Sequence, residues 1–373
     1  MIIGIPKEVK TDEFRVGATP SNVALLVKDG HEVLVQSCAG EGSGFRDADY
    51  FDAGACIVSS ANELYDRAKL IVKVKEPQAS EYDLLNETHT LFCYLHLAPL
   101  RELASALIEK KVCAIAYETV SIYNQLPLLK PMSEIAGKMA PIVAAYHLSR
   151  YKGGEGVLIS GADGVEAAKV LVIGAGNAGF NAAKIASGMG GDVTVVNRSM
   201  PKLDELKKLL PHVKIEIYSP ATMGKLLQGF DIVISTVLIH GGSSAPKLIT
   251  RDMLKGMKDG AIFVDVAIDQ GGVSETSKPT THTNPIYIEE GVLHYCVANM
   301  PGAYPKTSTI ALTNATIPYI RKLANDGCIN AIKNDSSLGL GVNVFNGVIT
   351  NKAVADAQGL EFQELETVLK ELK

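Results

Sequence analysis

The chain has 373 residues, 47% of them hydrophobic and 21% charged. That is ordinary globular composition, and more chain than one core usually organises. A formal net charge of −5 with no long basic run argues against nucleic acid and anionic membrane surfaces as partners. The opening "MIIGIPKEVKTDEFR" is charged within its first ten residues, and no run of about 18 uncharged apolar residues follows, so neither a signal-peptide core nor a membrane span is expected. A soluble, cytoplasmic protein is the expectation.

In the first third, the apolar runs "IIGIP", "EVLVQ", "KLIVKVK", "TLFCYLHL" and "VCAIAYE" alternate with helix-like stretches such as 21–28 and 100–110. "PMSEIAGKMAPIVAAYHLSRY" (131–151) then reads as a long amphipathic helix joining two domains, with Ser133 as its cap and Pro141 as a point of kinking. From 169 the alternation is stricter: "KVLVIG", "DVTVVN", "VKIEIYS", "DIVISTV", "AIFVDV" and "VLHYCV". A further helix pattern begins near 307 and returns the chain to the first domain. Apolar runs of about 4–8 residues separated by helices are the pattern of buried parallel strands. The expected fold is α/β: two doubly wound Rossmann-like domains with a cleft between them, the cofactor domain (129–306) inserted into a substrate domain (1–128 and 307–373). Cys38, Cys56, Cys93, Cys113, Cys296 and Cys328 show no C-x-x-C spacing, which favours reduced thiols over disulfides or zinc.

"KVLVIGAGNAGFNAAKIA" carries G-x-G-x-x-G as Gly174, Gly176 and Gly179, with Asn177 and Ala178 between the last two. The motif follows a strand pattern and opens an Ala-rich helix, as a dinucleotide-binding turn must. The first glycine permits the tight turn, the second admits a pyrophosphate, and the third lets helix pack on strand. Asn197 stands 23 positions after Gly174, where an acid would accept the adenosine ribose hydroxyls and repel a 2′-phosphate. Asparagine keeps hydrogen-bonding capacity without the charge. Arg198 and Lys202 follow as cations for a 2′-phosphate; the alternative is that Asn197 holds the plain ribose and Arg198 faces solvent.

In the first domain, Arg15 lies in the polar turn after the first strand, Lys75 ends "IVKVKEP" and His96 ends an apolar run in "YLHLA". Strand carboxyl ends are where ligands collect in an open parallel sheet. Arg15 offers a planar fork for a carboxylate, Lys75 a point charge for a carboxylate or keto oxygen, and His96 a proton carrier. A lone histidine there is more often a core residue, and turnover decides between the two. In "AIFVDVAIDQGG", Asp265 falls inside the apolar run and suits a structural or backbone contact, whereas Asp269 lies beyond it as a second acid/base. Asn299 and Met300 end "HYCVANMPGA" in a loop suited to cover a nicotinamide ring.

"PKEVKTDEFRVGATP", "VKVKEP", "YLHLA", "AYETV", "MSEIAG", "VDVAIDQGG", "HYCVANMPGA" and "TSTIALTNAT" occur in this order over about residues 1–316, and together they resemble the alanine dehydrogenases. The resemblance implies reversible oxidative deamination: L-alanine, water and oxidised cofactor give pyruvate, ammonium and reduced cofactor. Arg15 and Lys75 would bind substrate, and His96 and Asp269 would act as acid/base. Ser133, Asn197, Lys202, Ser219, Leu238 with Ile239, Ala267, Ile268, Asp269, Lys278, Val297, Ala298, Asn299 and Met300 would contact the cofactor. NAD is the implied cofactor, and Asn197–Arg198 in place of the family's usual aspartate adds NADP. A homohexamer is also implied. Some relatives carry metal ligands after "LTNAT"; "IPYIRKLANDG" supplies none of that pattern, so no metal is assigned. The alternatives are a transhydrogenase NAD-binding subunit, which has no need of the Lys75/His96 pair, a more distant saccharopine-type dehydrogenase, and a non-catalytic dinucleotide-binding protein.

Overall fold

The apolar runs become strands, most of them shorter than the runs that encode them. In the computed structural model, which describes residues 1–237 and 245–371, six come first: β1 (Ile2–Ile5), β2 (Glu32–Gln36), β3 (Cys56–Val58), β4 (Leu70–Val72), β5 (Thr90–Cys93) and β6 (Cys113–Ala116). Seven follow: β7 (Lys169–Ile173), β8 (Asp192–Asn197), β9 (Lys214–Ile217), β10 (Ile232–Ser235), β11 (Ile262–Asp265), β12 (Ile286–Glu289) and β13 (Val292–Tyr295). β14 (Val342–Phe345) and β15 (Val348–Ile349) close the series.

These strands belong to two compact units. One holds Met1–Met132 and the chain from Tyr304 onward; the other holds the stretch from Ser133 to Ala303. The first unit's sheet has the order β15-β14-β6-β5-β4-β1-β2-β3, and the second's is β12-β13-β11-β10-β7-β8-β9. In each, the first strand of the unit has its second strand on one side and its fourth on the other. That reversal leaves a crevice at the carboxyl ends of β1 and β4 in one sheet and of β7 and β10 in the other, the place where such sheets take ligands.

Several expectations need correction. One edge of each sheet is antiparallel: β14 pairs antiparallel with β6 and β15, and β12 with β13. The turn joining β12 to β13 has two positive-φ residues, Glu290 and Gly291, and the turn joining β14 to β15 has Asn346 and Gly347. Both are the left-handed pairs that tight hairpins require. β9 is not a buried strand: it lies at the sheet edge and is mostly exposed, because "KIEI" alternates charge with apolar side chains. The "KLIVKVK" strand stops at Val72, leaving Lys73 and Lys75 beyond it. Ser133 caps nothing, since its helix runs Lys130–His147 and begins three residues earlier, with Pro141 inside it.

Each unit has its own apolar cluster. Leu64, Leu91, Leu103 and Leu107 belong to one in the first unit, and Phe230, Leu254 and Phe263 to one in the second. Phe263 is fully buried and meets His294 edge-on at 5.5 Å between ring centroids. Phe263→Ala is expected to cost about 3–5 kcal/mol. A fall in the urea midpoint of the circular dichroism transition would register it, and an unchanged midpoint would contradict this packing.

Candidate active site

In the first unit, the turn after β1 returns to the end of β4. Gly17 permits the approach: a Cβ there would stand 2.5 Å from the Val72 carbonyl oxygen. Arg15, on this turn, is 2% exposed. Its Nε and Nη2 donate to Glu13 Oε1 and Oε2 at 2.7 and 2.6 Å, and Nη1 points to Met132 Sδ at 3.0 Å. The open fork expected of Arg15 is therefore closed along one edge by Glu13. Burial works to raise Glu13, but the Arg15 guanidinium and its hydrogen bonds hold it at about 2, with Lys75 adding to the effect.

Lys75 and His96 lie within electrostatic reach of a second acid. Glu76 is 5% exposed and ion-paired with Lys10. Burial tends to raise Glu76, but Lys75, Lys10 and, to a smaller extent, His96 hold it low. Arg15, Lys75 and His96 are thus gathered around Glu13 and Glu76, at the ends of β1, β4 and β5. His96 is half-buried and left-handed, with φ of +47°, a conformation that costs a non-glycine residue about 1 kcal/mol or more. Glu118, just after β6, holds it there by accepting the His96 amide at 2.6 Å. The Tyr94 ring lies tilted beside His96 at 5.8 Å between centroids, and its hydroxyl donates to Leu128 O at 2.6 Å. Thr309, on the helix Pro305–Asp326, accepts the Val16 amide at 3.2 Å and so fixes the Arg15 turn from the far end of the chain.

Glu13, Glu76, Glu118 and Tyr94 all sat unassigned inside or beside the recognised motifs. A signal existed: a buried arginine or lysine requires an acid, and "DEFR" and "KEP" place one within two residues of each cation.

In the second unit, Gly174 follows β7 with φ of +109°, and a Cβ on it would stand 2.7 Å from Thr236 Oγ1, at the end of β10. A Cβ on Gly179 would collide with the Gly174 carbonyl oxygen. Gly176 faces open space and precedes the helix Asn177–Gly188. This fits a dinucleotide pyrophosphate: a turn no side chain blocks, opening directly into a helix whose N-terminal end favours an anion. Asn177 O accepts Asn181 Nδ2 at 2.9 Å, within that helix. Gly137, from the "MSEIAG" motif, packs so closely that any Cβ would overlap the Ala178 carbonyl. Ser133, half-buried, lies one turn earlier on the same helix.

Asn197 ends β8, half-buried, with Nδ2 3.4 Å from Ser199 O. Arg198 is exposed and lies 5.3 Å over the Tyr218 ring. Lys202 is exposed on the following helix, and Ser219 is half-buried at the start of the helix Pro220–Leu227. Asp265 is fully buried at the end of β11, where it accepts Ala267 N at 3.1 Å, Val273 N at 2.8 Å and Ser277 Oγ at 2.6 Å. Burial raises its carboxyl in spite of these bonds. Asp265 thereby shapes the loop that carries Ala267 and Ile268, both buried, and Asp269, which is exposed. Lys278 is ion-paired with Glu289 at 2.6 Å. Val297 and Met300 are buried, Ala298 N donates to Thr280 O at 3.1 Å, and Asn299 is left-handed with φ of +58°. Leu238 and Ile239 lie outside the described residues.

Family models for the N-terminal and C-terminal domains of alanine dehydrogenase/PNT match residues 4–136 and 140–352. An alanine dehydrogenase of Staphylococcus epidermidis is 51% identical over 373 residues, 99% of this chain and 100% of that protein. A solved L-alanine dehydrogenase superposes with a TM-score of 0.91 at 44% identity, covering 96% of this chain and 99% of that one. The transhydrogenase of Sinorhizobium meliloti gives 0.80 at 26% identity, covering 95% and 100%.

Glu13→Gln would leave Arg15 buried without its counter-charge, and a loss of about 3–5 kcal/mol is expected. The acid's stabilising effect is complete above its ordinary value of 4.5 and is lost as pH falls toward about 2. The stability gap between wild type and variant should therefore narrow across that range in urea titrations; a constant gap would refute the pairing. Gly179→Val should abolish dinucleotide binding, measured by quenching of bound-cofactor fluorescence, while normal binding would remove the turn from the site.

Proposed function

The chain belongs to the alanine dehydrogenase/PNT family, and from that premise we propose that it catalyses the reversible oxidative deamination of L-alanine to pyruvate and ammonium. One observation supports this most: Arg15, Lys75 and His96 converge around buried acids at the carboxyl ends of β1, β4 and β5. A protein that bound only a dinucleotide would have no use for them. The higher identity to alanine dehydrogenases than to the transhydrogenase favours the same reading.

Arg15 binds the substrate carboxylate through its Nη1 end, where the weak thioether acceptor of Met132 now stands; Glu13 keeps the guanidinium oriented. Lys75 holds the keto oxygen of pyruvate as a point charge. NAD held at the glycine turn would supply the acceptor for the hydride lost from the alanine Cα in the forward direction. His96 moves the protons as water adds and ammonia leaves, and Asp269 is the second acid/base. Glu118 and Tyr94 fix the orientation of His96. Gly174, Gly176, Asn177, Ala178 and Gly179 carry the pyrophosphate, and Asn197 the ribose. Ser133, Lys202, Ser219, Lys278 and the 297–300 segment complete the cofactor's contacts. We also propose a homohexamer working in the cytoplasm. No described helix is long and apolar enough to cross a membrane.

NADPH should be accepted as well, because Asn197 lacks the charge that repels a 2′-phosphate and Arg198 is exposed beside it. The founding assay offers purified protein pyruvate and ammonium with NADH and NADPH in parallel. Consumption of NADH is expected, and no consumption of either cofactor would overturn the reaction assigned. Asn197→Asp should lower turnover with NADPH relative to NADH, whereas an unaltered ratio would exclude Asn197 from the choice. His96→Ala should retain dinucleotide binding and lose about 10²–10⁴ in kcat; near-normal kcat would reduce His96 to a packing residue.

A further inference from the structure

Two thiols with no part in that chemistry stand together in the first unit. Cys113 opens β6 and is 8% exposed; Cys328 opens the helix Cys328–Asn334 and is half-buried. They are 215 positions apart in sequence, yet their sulfur atoms are 3.0 Å apart. A disulfide bond is about 2.05 Å long, so a shift of about 1 Å would join them. Neither is bonded now: all six cysteines are free.

Their environments differ in a useful way. Cys113 is buried in the sheet, whereas Cys328 stands at the start of a helix and is only half-buried. Cys328 is thus the more accessible of the two. The more accessible thiol meets an oxidant first, and its buried neighbour resolves the product.

We propose that Cys113 and Cys328 form a redox modification site that closes to an intrachain disulfide on meeting a small-molecule disulfide such as oxidised glutathione. The Cys328 thiolate attacks one sulfur of the oxidant, breaking its S–S bond and releasing one molecule of reduced thiol. Cys113 then gives up its proton and attacks the Cys328 sulfur of the mixed disulfide. The second reduced thiol leaves. Two protein thiols are oxidised by two electrons, the oxidant is reduced to two thiols, and the two protons go with them.

The bridge would be a clamp remote from catalysis. Cys113 pairs in register with Thr90, at the amino ends of β5 and β6, whereas His96 and Glu118 follow the carboxyl ends of those strands. Cross-linking should therefore leave turnover intact and raise resistance to heat, since it closes a long loop in the unfolded chain.

The test treats the full-length protein with oxidised glutathione, alkylates it and maps peptides without reduction. A linked peptide pair containing Cys113 and Cys328 is expected, lighter by two hydrogen atoms and abolished by dithiothreitol. Cys328→Ser should remove the linked pair without lowering turnover with pyruvate. Two outcomes would overturn the proposal: both cysteines recovered as alkylated thiols, or Cys328 carrying only a glutathione adduct. The wild-type map decides the matter even if the variant fails to fold.

Discussion

Lys73 brings a charge into the first unit at a point with no exposure to solvent, and the loops around the substrate groups are organised by what neutralises it. Its Nζ lies 2.8 Å from Glu81 Oε1 and 3.1 Å from Glu8 Oε2. Glu81 also accepts the Tyr65 hydroxyl at 3.0 Å. Glu8, in the loop after β1, accepts the Val74 amide at 2.6 Å with its other oxygen, next to Lys75. Two acids thus share one base: burial raises the Glu8 carboxyl, and Lys73 pulls it back. Such a cluster tolerates no partial loss, because any member removed leaves a buried charge unmatched. It joins the exits of β1 and β4 close to Lys75.

The second unit solves the same problem with neutral contacts. Its corresponding exits, after β7 and β10, are tied by the Thr236 hydroxyl donating to Ile173 O at 3.0 Å and by glycines that let backbone touch backbone. A pyrophosphate brings its own charge, so this crevice needs amides and space, whereas a small amino acid needs cations held in place. The two chemistries explain why one exit is lined with buried ions and the other with glycine.

Much of this was legible in the sequence. The alternation of strands with helices and the glycine turn followed from the apolar rhythm and the G-x-G-x-x-G spacing, because both depend on local pattern. Arg15, Lys75 and His96 were singled out by their place at strand ends. Of the acids beside them, Glu13 and Glu76 stood within two residues of a cation, whereas the contact of Glu118 with the His96 amide depends on which loops the fold brings together. The antiparallel edge strands were missed for a different reason. "VNVFNGVIT" holds an Asn-Gly turn between alternating apolar residues, a strong hairpin signal, but the α/β rhythm drew attention to parallel crossovers. β3, with three residues, is too short to register as a pattern.

The pairing of β14 with β6 sets the order in which the molecule can be completed. β6 ends the run of strands made from the first part of the chain, and its outer neighbour is encoded beyond the whole second unit. A ribosome therefore releases β6 with one edge unpaired, and that edge stays open while every strand of the other sheet is synthesised. The second sheet draws all its strands from one uninterrupted stretch and can close first. The nascent first unit must meanwhile avoid pairing its bare edge with another chain, which makes the interval before β14 emerges the period of greatest exposure to aggregation.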